Sequence, residues 1–137
     1  MAEDMEHAQE ILLKGYEAFN RGDFDESAKY LHPDVDWQRV ADVESSLEGR
    51  EAVRGNMEPD VWDKQEVEVN GIEAIGESLV VDATFHAVGR GSGIEMHQQG
   101  FHVWKIVNGL GARFRFFIDR DEAVAAARED EGLSGAS

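Results

Sequence analysis

The sequence predicts an α+β domain, on three observations. Apolar residues recur three or four apart over residues 5–20, as one buried helix face requires. From residue 66 the period falls to two and stays there to residue 119, which is the signature of strands. The links between these later runs are short and turn-permissive, so sequential antiparallel pairing is the simplest topology.

Taken in order, Met5, Ala8, Leu12, Tyr16 and Phe19 mark the buried face of the first helix. Gly22 in "NRGD" suits the left-handed turn after it. Asp23 caps a second helix, with Glu26 as its capping-box partner, and this helix is expected to run to about Leu31 and stop at His32-Pro33. Residues 35–40, "VDWQRV", alternate as a strand, and "GREAVRGNM" reads as a short third helix limited by Pro59. Strands follow over 66–75, 78–89, 94–107 and 112–119, joined by Gly76-Glu77, "GRGSG" and "NGLG". Asp121 then caps a short helix, "EAVAAARED", and residues 130–137 read as a frayed tail of a single domain spanning 1–137. A twisted sheet wrapped on a long helix leaves a cone whose mouth the helix alone does not fill, so a pocket is expected.

Bulk composition excludes some functions. At 137 residues the chain is long enough to bury a core without disulfides or metal staples. It has no cysteine, which removes thiol catalysis and thiolate metal sites. The net charge of −16 repels nucleic acid and anionic lipid, so neither is an expected partner. The charge reads as a well-solvated surface, with adaptation to high salt as the other reading, given the acidic excess and only four lysines. Met1 precedes an acidic, helical segment with no apolar stretch of signal or spanning length, so a soluble, cytoplasmic protein is expected.

Four segments in order resemble a known family: "GYEAFNRGDFDESAKYLHPDVDW", "LEGREAVR", "GRGSGIEM" and "HVWKIVNG…FFIDRDEAVAAA". Together they are similar to the SnoaL-like group of the nuclear transport factor 2-like superfamily, related to polyketide cyclases and ketosteroid isomerases. The resemblance implies a cone-shaped α+β barrel, three N-terminal helices packed on a curved, mostly antiparallel sheet, and a short C-terminal helix. It also implies an apolar pocket and a homodimer formed through the outer sheet face. It implies no single activity. The isomerases' general-base Asp is replaced here by Arg39, whose guanidinium does not act as a base at neutral pH. Their second pocket acid falls on His102 if one residue is inserted before "NG", and on Phe101 otherwise. Their catalytic tyrosine lies one position from Tyr16. The polyketide cyclases' acid–base Asp has no secure counterpart, and the Asp-Arg-Asp set of limonene-epoxide hydrolases is represented only by Arg39.

The candidate site rests on strand faces. On the strand from residue 94, Gln98, Gly100, His102, Trp104 and Ile106 share one face, which puts Phe101 and Val103 on the other, as a dimer interface would need. Trp37 and Arg39 share a face of the first strand, so burial of the indole carries the guanidinium inward, toward an internal carboxylate or a ligand anion. Tyr16, on the buried helix face, needs a hydrogen-bond partner for its hydroxyl. Candidate ligand-binding residues are therefore Tyr16, Trp37, Arg39, His102 and Trp104. In a cofactor-free proton-transfer reaction beside a carbonyl, His102 is the candidate acid–base group, and Arg39 or Tyr16 stabilises negative charge on oxygen. The rival reading is a non-catalytic ligand-binding or dimerisation module.

Leu79, Val81, Ala83, Phe85 and Ala87 share the apolar face of the next strand, opposite Asp82, Thr84 and His86. His86 and His97 could lie near each other across "GRGSG", where two histidines and an aspartate could hold a metal, but that spacing is generic for a surface hairpin and no ligand motif is present, so no metal or cofactor is expected. "GRGSG" joins two strands instead of opening a helix, so it is a hairpin and not a phosphate loop.

Overall fold

The computed structural model describes residues 2–39, 42–57 and 62–135, and leaves aside the side chains of 2–5, 39, 42–46 and 130–135. The chain runs α1 (Ala2–Asn20), α2 (Phe24–Ala28), β1 (Leu31–Arg39), β2 (Asp42–Glu48), α3 (Arg50–Met57), β3 (Trp62–Ile75), β4 (Ser78–Gly89), β5 (Glu95–Val107), β6 (Leu110–Phe117) and α4 (Arg120–Gly135). The strands form one curved six-stranded sheet in the order β2-β1-β6-β5-β4-β3. Every pairing is antiparallel except that of β1 with β6. The α+β architecture and the mostly antiparallel sheet are those expected.

Two cores lie on opposite sheet faces. On the concave side, Ala8 and Leu12 of α1 and Val53 of α3 pack with Leu31, Val35, Leu79, Val81, Ala83, Trp104 and Phe114. On the convex side, Ala123 and Ala127 of α4 cover Val80, Val103 and Phe117, with Phe101 beside them. The inner face of β5 therefore carries Gly100, His102 and Trp104, and the outer face Phe101 and Val103. The outer-face placement is as expected, but its reason is not: the apolar pair is covered by α4 of the same chain.

Several local expectations need correction. The second helix ends at Ala28, and Leu31, His32 and Pro33 begin β1. Pro33 is tolerated there because the β1–β6 register is interrupted between Leu31 and Asp36, where no ladder donor is required. Asp23 caps α2 by accepting from the Glu26 amide at 3.2 Å. The reciprocal half of the capping box is missing: the Asp23 amide donates to the Ala18 carbonyl, and Glu26 pairs with Lys29 at 3.1 Å. Strand β2 was not expected at all. The last helix begins two residues earlier than expected, because Asp119, and not Asp121, is its cap: the Asp119 Oδ1 accepts from the Asp121 amide at 3.3 Å. That helix also continues to Gly135, beyond the expected end. The expected limits at Val40 and Pro59 fall outside the described residues.

Two ties hold α1 in place over the sheet. The Asn20 carboxamide donates to the Val67 carbonyl at 2.9 Å and accepts from the Val67 amide at 2.8 Å, which locks the end of α1 to β3 as a strand partner would. The Ser27 hydroxyl donates to the Gly15 carbonyl at 2.8 Å and binds α2 beneath the same turn. Asn108 and Gly109, at φ 53° and 77°, form the tight turn between β5 and β6.

Candidate functional site

A cavity of about 520 Å³ opens between α1, α3 and the concave sheet face. Its wall includes Tyr16, Trp37, His102 and Trp104, which the sequence singled out, and Gly100 and Gln98 from the same strand face. Arg39 closes β1 opposite Phe116 of β6, but its side chain lies outside the described residues. No charged side chain lines the cavity among the described residues.

Strand register brings the polar groups together. On β5, His102 stands between Val81 and Phe116, and Trp104 between Leu79 and Phe114. On β1, Trp37 is the cross-strand partner of Phe114, and its ring stacks on that phenyl with centroids 3.8 Å apart at 19°. Trp104 meets Trp37 edge-on at 5.7 Å, and His102 meets Phe114 at 5.0 Å and 66°. These are the offset and edge-to-face arrangements that ring quadrupoles favour.

Two glycines make the stack possible. A Cβ on Gly100 would lie 2.4 Å from Phe116 Cε2, and one on Gly111 would lie 2.8 Å from Trp104 Cζ3. Backbone without side chains lets both rings lie flat against the sheet.

Within this aromatic wall runs a three-residue hydrogen-bond chain. The Trp104 indole Nε1–H donates to the Tyr16 hydroxyl at 2.9 Å, and Tyr16 Oη lies 2.6 Å from His102 Nδ1. An indole N–H only donates, so the tyrosine oxygen accepts from it. The phenolic hydrogen then satisfies itself best by donating to Nδ1, since the opposite tautomer would leave that hydrogen without a partner in an apolar wall. His102 is thereby held as the Nε2–H tautomer. Among the described residues, none takes a hydrogen bond from Nε2, the outer end of the relay.

Electrostatics agree with this assignment. Burial pushes the His102 imidazole down to about 4, so it is neutral at physiological pH. Burial also pushes the Tyr16 phenol up, with the Trp104 hydrogen bond pulling partly the other way. The site therefore contains a neutral donor braced by a neutral phenol.

Other wall residues were not among the ligand-binding candidates. Phe85 and Met96 belong to the same alternating faces as Ala83 and Gln98 and were accessible to the period-two argument. Tyr30 and Asn56 come from the segments around α2 and α3, where no periodicity announces an inward residue. Trp62 lines the cavity edge-on to Phe85 at 6.1 Å, whereas Phe117 lies beneath α4.

Comparison with known proteins now fixes the family. Residues 13–114 match the SnoaL-like domain, and the chain belongs to that family. No curated protein matches the sequence. Among solved structures, a polyketide-cyclase candidate from Xanthomonas campestris pv. campestris is 21% identical, with TM-score 0.71 over 89% of this chain and 97% of that one. TerC, co-crystallised with polyporic acid, is 18% identical, with TM-score 0.71 over 89% and 98%. A Catenulispora acidiphila protein of ketosteroid isomerase-like fold, in complex with trimethylamine, is 12% identical, with TM-score 0.72 over 85% and 90%. At these identities the likeness is one of fold.

Proposed function

We propose that this SnoaL-like chain binds a small, largely apolar organic molecule bearing an acceptor oxygen, and that His102 Nε2–H anchors that oxygen inside the cavity. The observation that carries the reading is the Trp104–Tyr16–His102 relay, which ends in a donor on a wall that has no charged side chain among the described residues. A cavity of about 520 Å³ falls in the range of roughly 300–1,000 Å³ usual for small-molecule sites. Two proteins of the same fold were crystallised with small organic molecules, polyporic acid and trimethylamine, which supports a small-molecule ligand. Trp37, Trp104 and Tyr16 supply its ligand-contacting surface. Arg39, at the end of β1, is the candidate partner for an anionic group on the ligand.

Cofactor-free turnover is the second reading, and the Tyr16–His102 contact is what favours it. An imidazole whose pKa is about 4 is a poor base at neutral pH, so its role is to polarise a bound carbonyl by donating from Nε2–H. Tyr16 braces it, and Arg39 adds positive charge. The chain also fits a homodimer through the part of the outer sheet that α4 leaves open, around Asp82, Thr84 and Gln99; sedimentation velocity tests this directly.

The test of the primary reading is a thermal-shift screen of apolar carbonyl compounds, with hits measured on two variants. Ala83 is buried on the cavity wall. Ala83→Leu should weaken binding by narrowing the chamber, and His102→Ala should weaken it at least tenfold, with far-ultraviolet circular dichroism unchanged. Hits that bind both variants as well as the native chain would sink the reading. Full turnover by His102→Ala on a discovered substrate would remove the catalytic one.

A further inference from the structure

The outer sheet face carries a second polar constellation, independent of the cavity. His86 of β4 and His97 of β5 are directly paired across the hairpin, so both imidazoles project from the same face. Their Nδ1 atoms are in hydrogen-bond contact. His86 Nε2 lies 2.8 Å from Glu68 Oε1 of β3. The carboxylate can only accept, so His86 carries its proton on Nε2, and its Nδ1 lone pair faces His97. In the neutral pair, His97 supplies the single hydrogen held between the two rings.

We propose that His86 and His97 form a surface site for a borderline divalent transition ion such as Zn²⁺. Both Nδ1 atoms ligate, and water fills the remaining positions. A ligating histidine characteristically gives its other N–H to a carboxylate, which fixes the tautomer and raises the basicity of the ring. Glu68 already fixes the tautomer of His86 in this way. For His97 the change is a shift of its own proton from Nδ1 to Nε2, with no net charge exchanged. Zinc–nitrogen bonds of about 2.0–2.1 Å at a tetrahedral angle set the two nitrogens roughly 3.3 Å apart. The rings must therefore open by less than about 1 Å from their present contact. His86 is 32% and Glu68 56% exposed as side chains, which leaves room for that movement and a path for the ion.

The electrostatic setting favours a cation. Glu66 stands directly across from His86 on the same face, and the protein carries a net charge of −16. Among the described residues no three His, Cys, Asp or Glu side chains already converge as a closed metal cage. A two-imidazole site completed by water is open on its solvent side and needs no such cage.

The experiment is a titration of the untagged 137-residue chain with ZnCl₂, followed by calorimetry and by ¹⁵N imidazole NMR. One equivalent should bind, with the His86 and His97 nitrogens shifting and those of His102 unmoved. His86→Ala and His97→Ala should each weaken binding at least tenfold, and Glu68→Gln by about 10–100-fold, as loss of a supporting carboxylate does. Absence of binding heat overturns the proposal. So does uptake that persists unchanged in the His86→Ala/His97→Ala double variant, which would assign the ion to surface carboxylates.

Discussion

The Tyr16 hydroxyl and His102 Nδ1 lie 2.6 Å apart, although 86 positions separate them in the chain. The contact joins the one long helix on the concave face to the middle of the sheet, and it fixes both the tautomer of the imidazole and the partner of the Trp104 indole. Its removal should therefore be felt in more than one place. Tyr16→Phe deletes an acceptor for Trp104 Nε1 and a donor to His102 while leaving the ring. The expected cost is about 1–3 kcal/mol of stability, that of a buried polar group left unpaired. Urea denaturation measures it; a variant as stable as the native chain would show that the two groups find water instead.

The depressed pKa of His102 makes stability depend on pH with a definite sign. The folded value, about 4, lies below the ordinary 6.5 of the unfolded chain, so between them the unfolded state binds more protons. The contribution is fully present above pH 6.5 and is lost as pH falls toward 4; its upper bound is about 3 kcal/mol. Denaturation midpoints measured across this window should slope downward with acid. His102→Asn, which keeps an acceptor for Tyr16 but does not titrate, should flatten the slope. An equal slope in that variant would place the effect on the carboxylates.

Gly100→Ala tests the close approach of Phe116 to β5. The added methyl would overlap the phenyl ring, which must swing away from the strand. Overpacking of this kind costs about 1–3 kcal/mol. Ligand affinity should fall with it, because Phe116 is part of the cavity wall. Thermal denaturation and the ligand screen read the two effects separately.

Asp119→Ala should lower stability by about 1 kcal/mol through loss of the cap on α4, and Asp121→Ala by less. Parallel melting curves of the two variants decide between them.

The sequence revealed elements with strong local signals. Helix α1 and strands β4 to β6 show clear periods, and Asn108-Gly109 marks its turn unaided. Even the direction of His102 follows from Trp104 by counting in twos. What stayed hidden depended on distant partners. Leu31 pairs with Gly111 in a parallel ladder, and nothing near Pro33 announces a strand. Strand β2, "DVESSLE", offers only Val43 and Leu47 as apolar residues. Asp119 and Asp121 are equally good caps by type, and only the fold chooses. The relay itself was half visible: Tyr16 needed a partner and His102 faced inward, but their meeting required the sheet's curvature. The pairing of His86 with His97 was read correctly as proximity, while Glu68, on a third strand, escaped notice.

The parallel seam between β1 and β6 also governs when the chamber can exist. A ribosome must deliver Phe117 before β1, already paired with β2, gains its second neighbour, so for most of synthesis the greasy flank of α1 lacks a complete roof. Non-local closure of this sort slows folding and leaves sticky intermediates. The abundant negative charge of the chain then serves the newborn polypeptide as much as the finished one, holding unfinished copies apart until the last strand arrives.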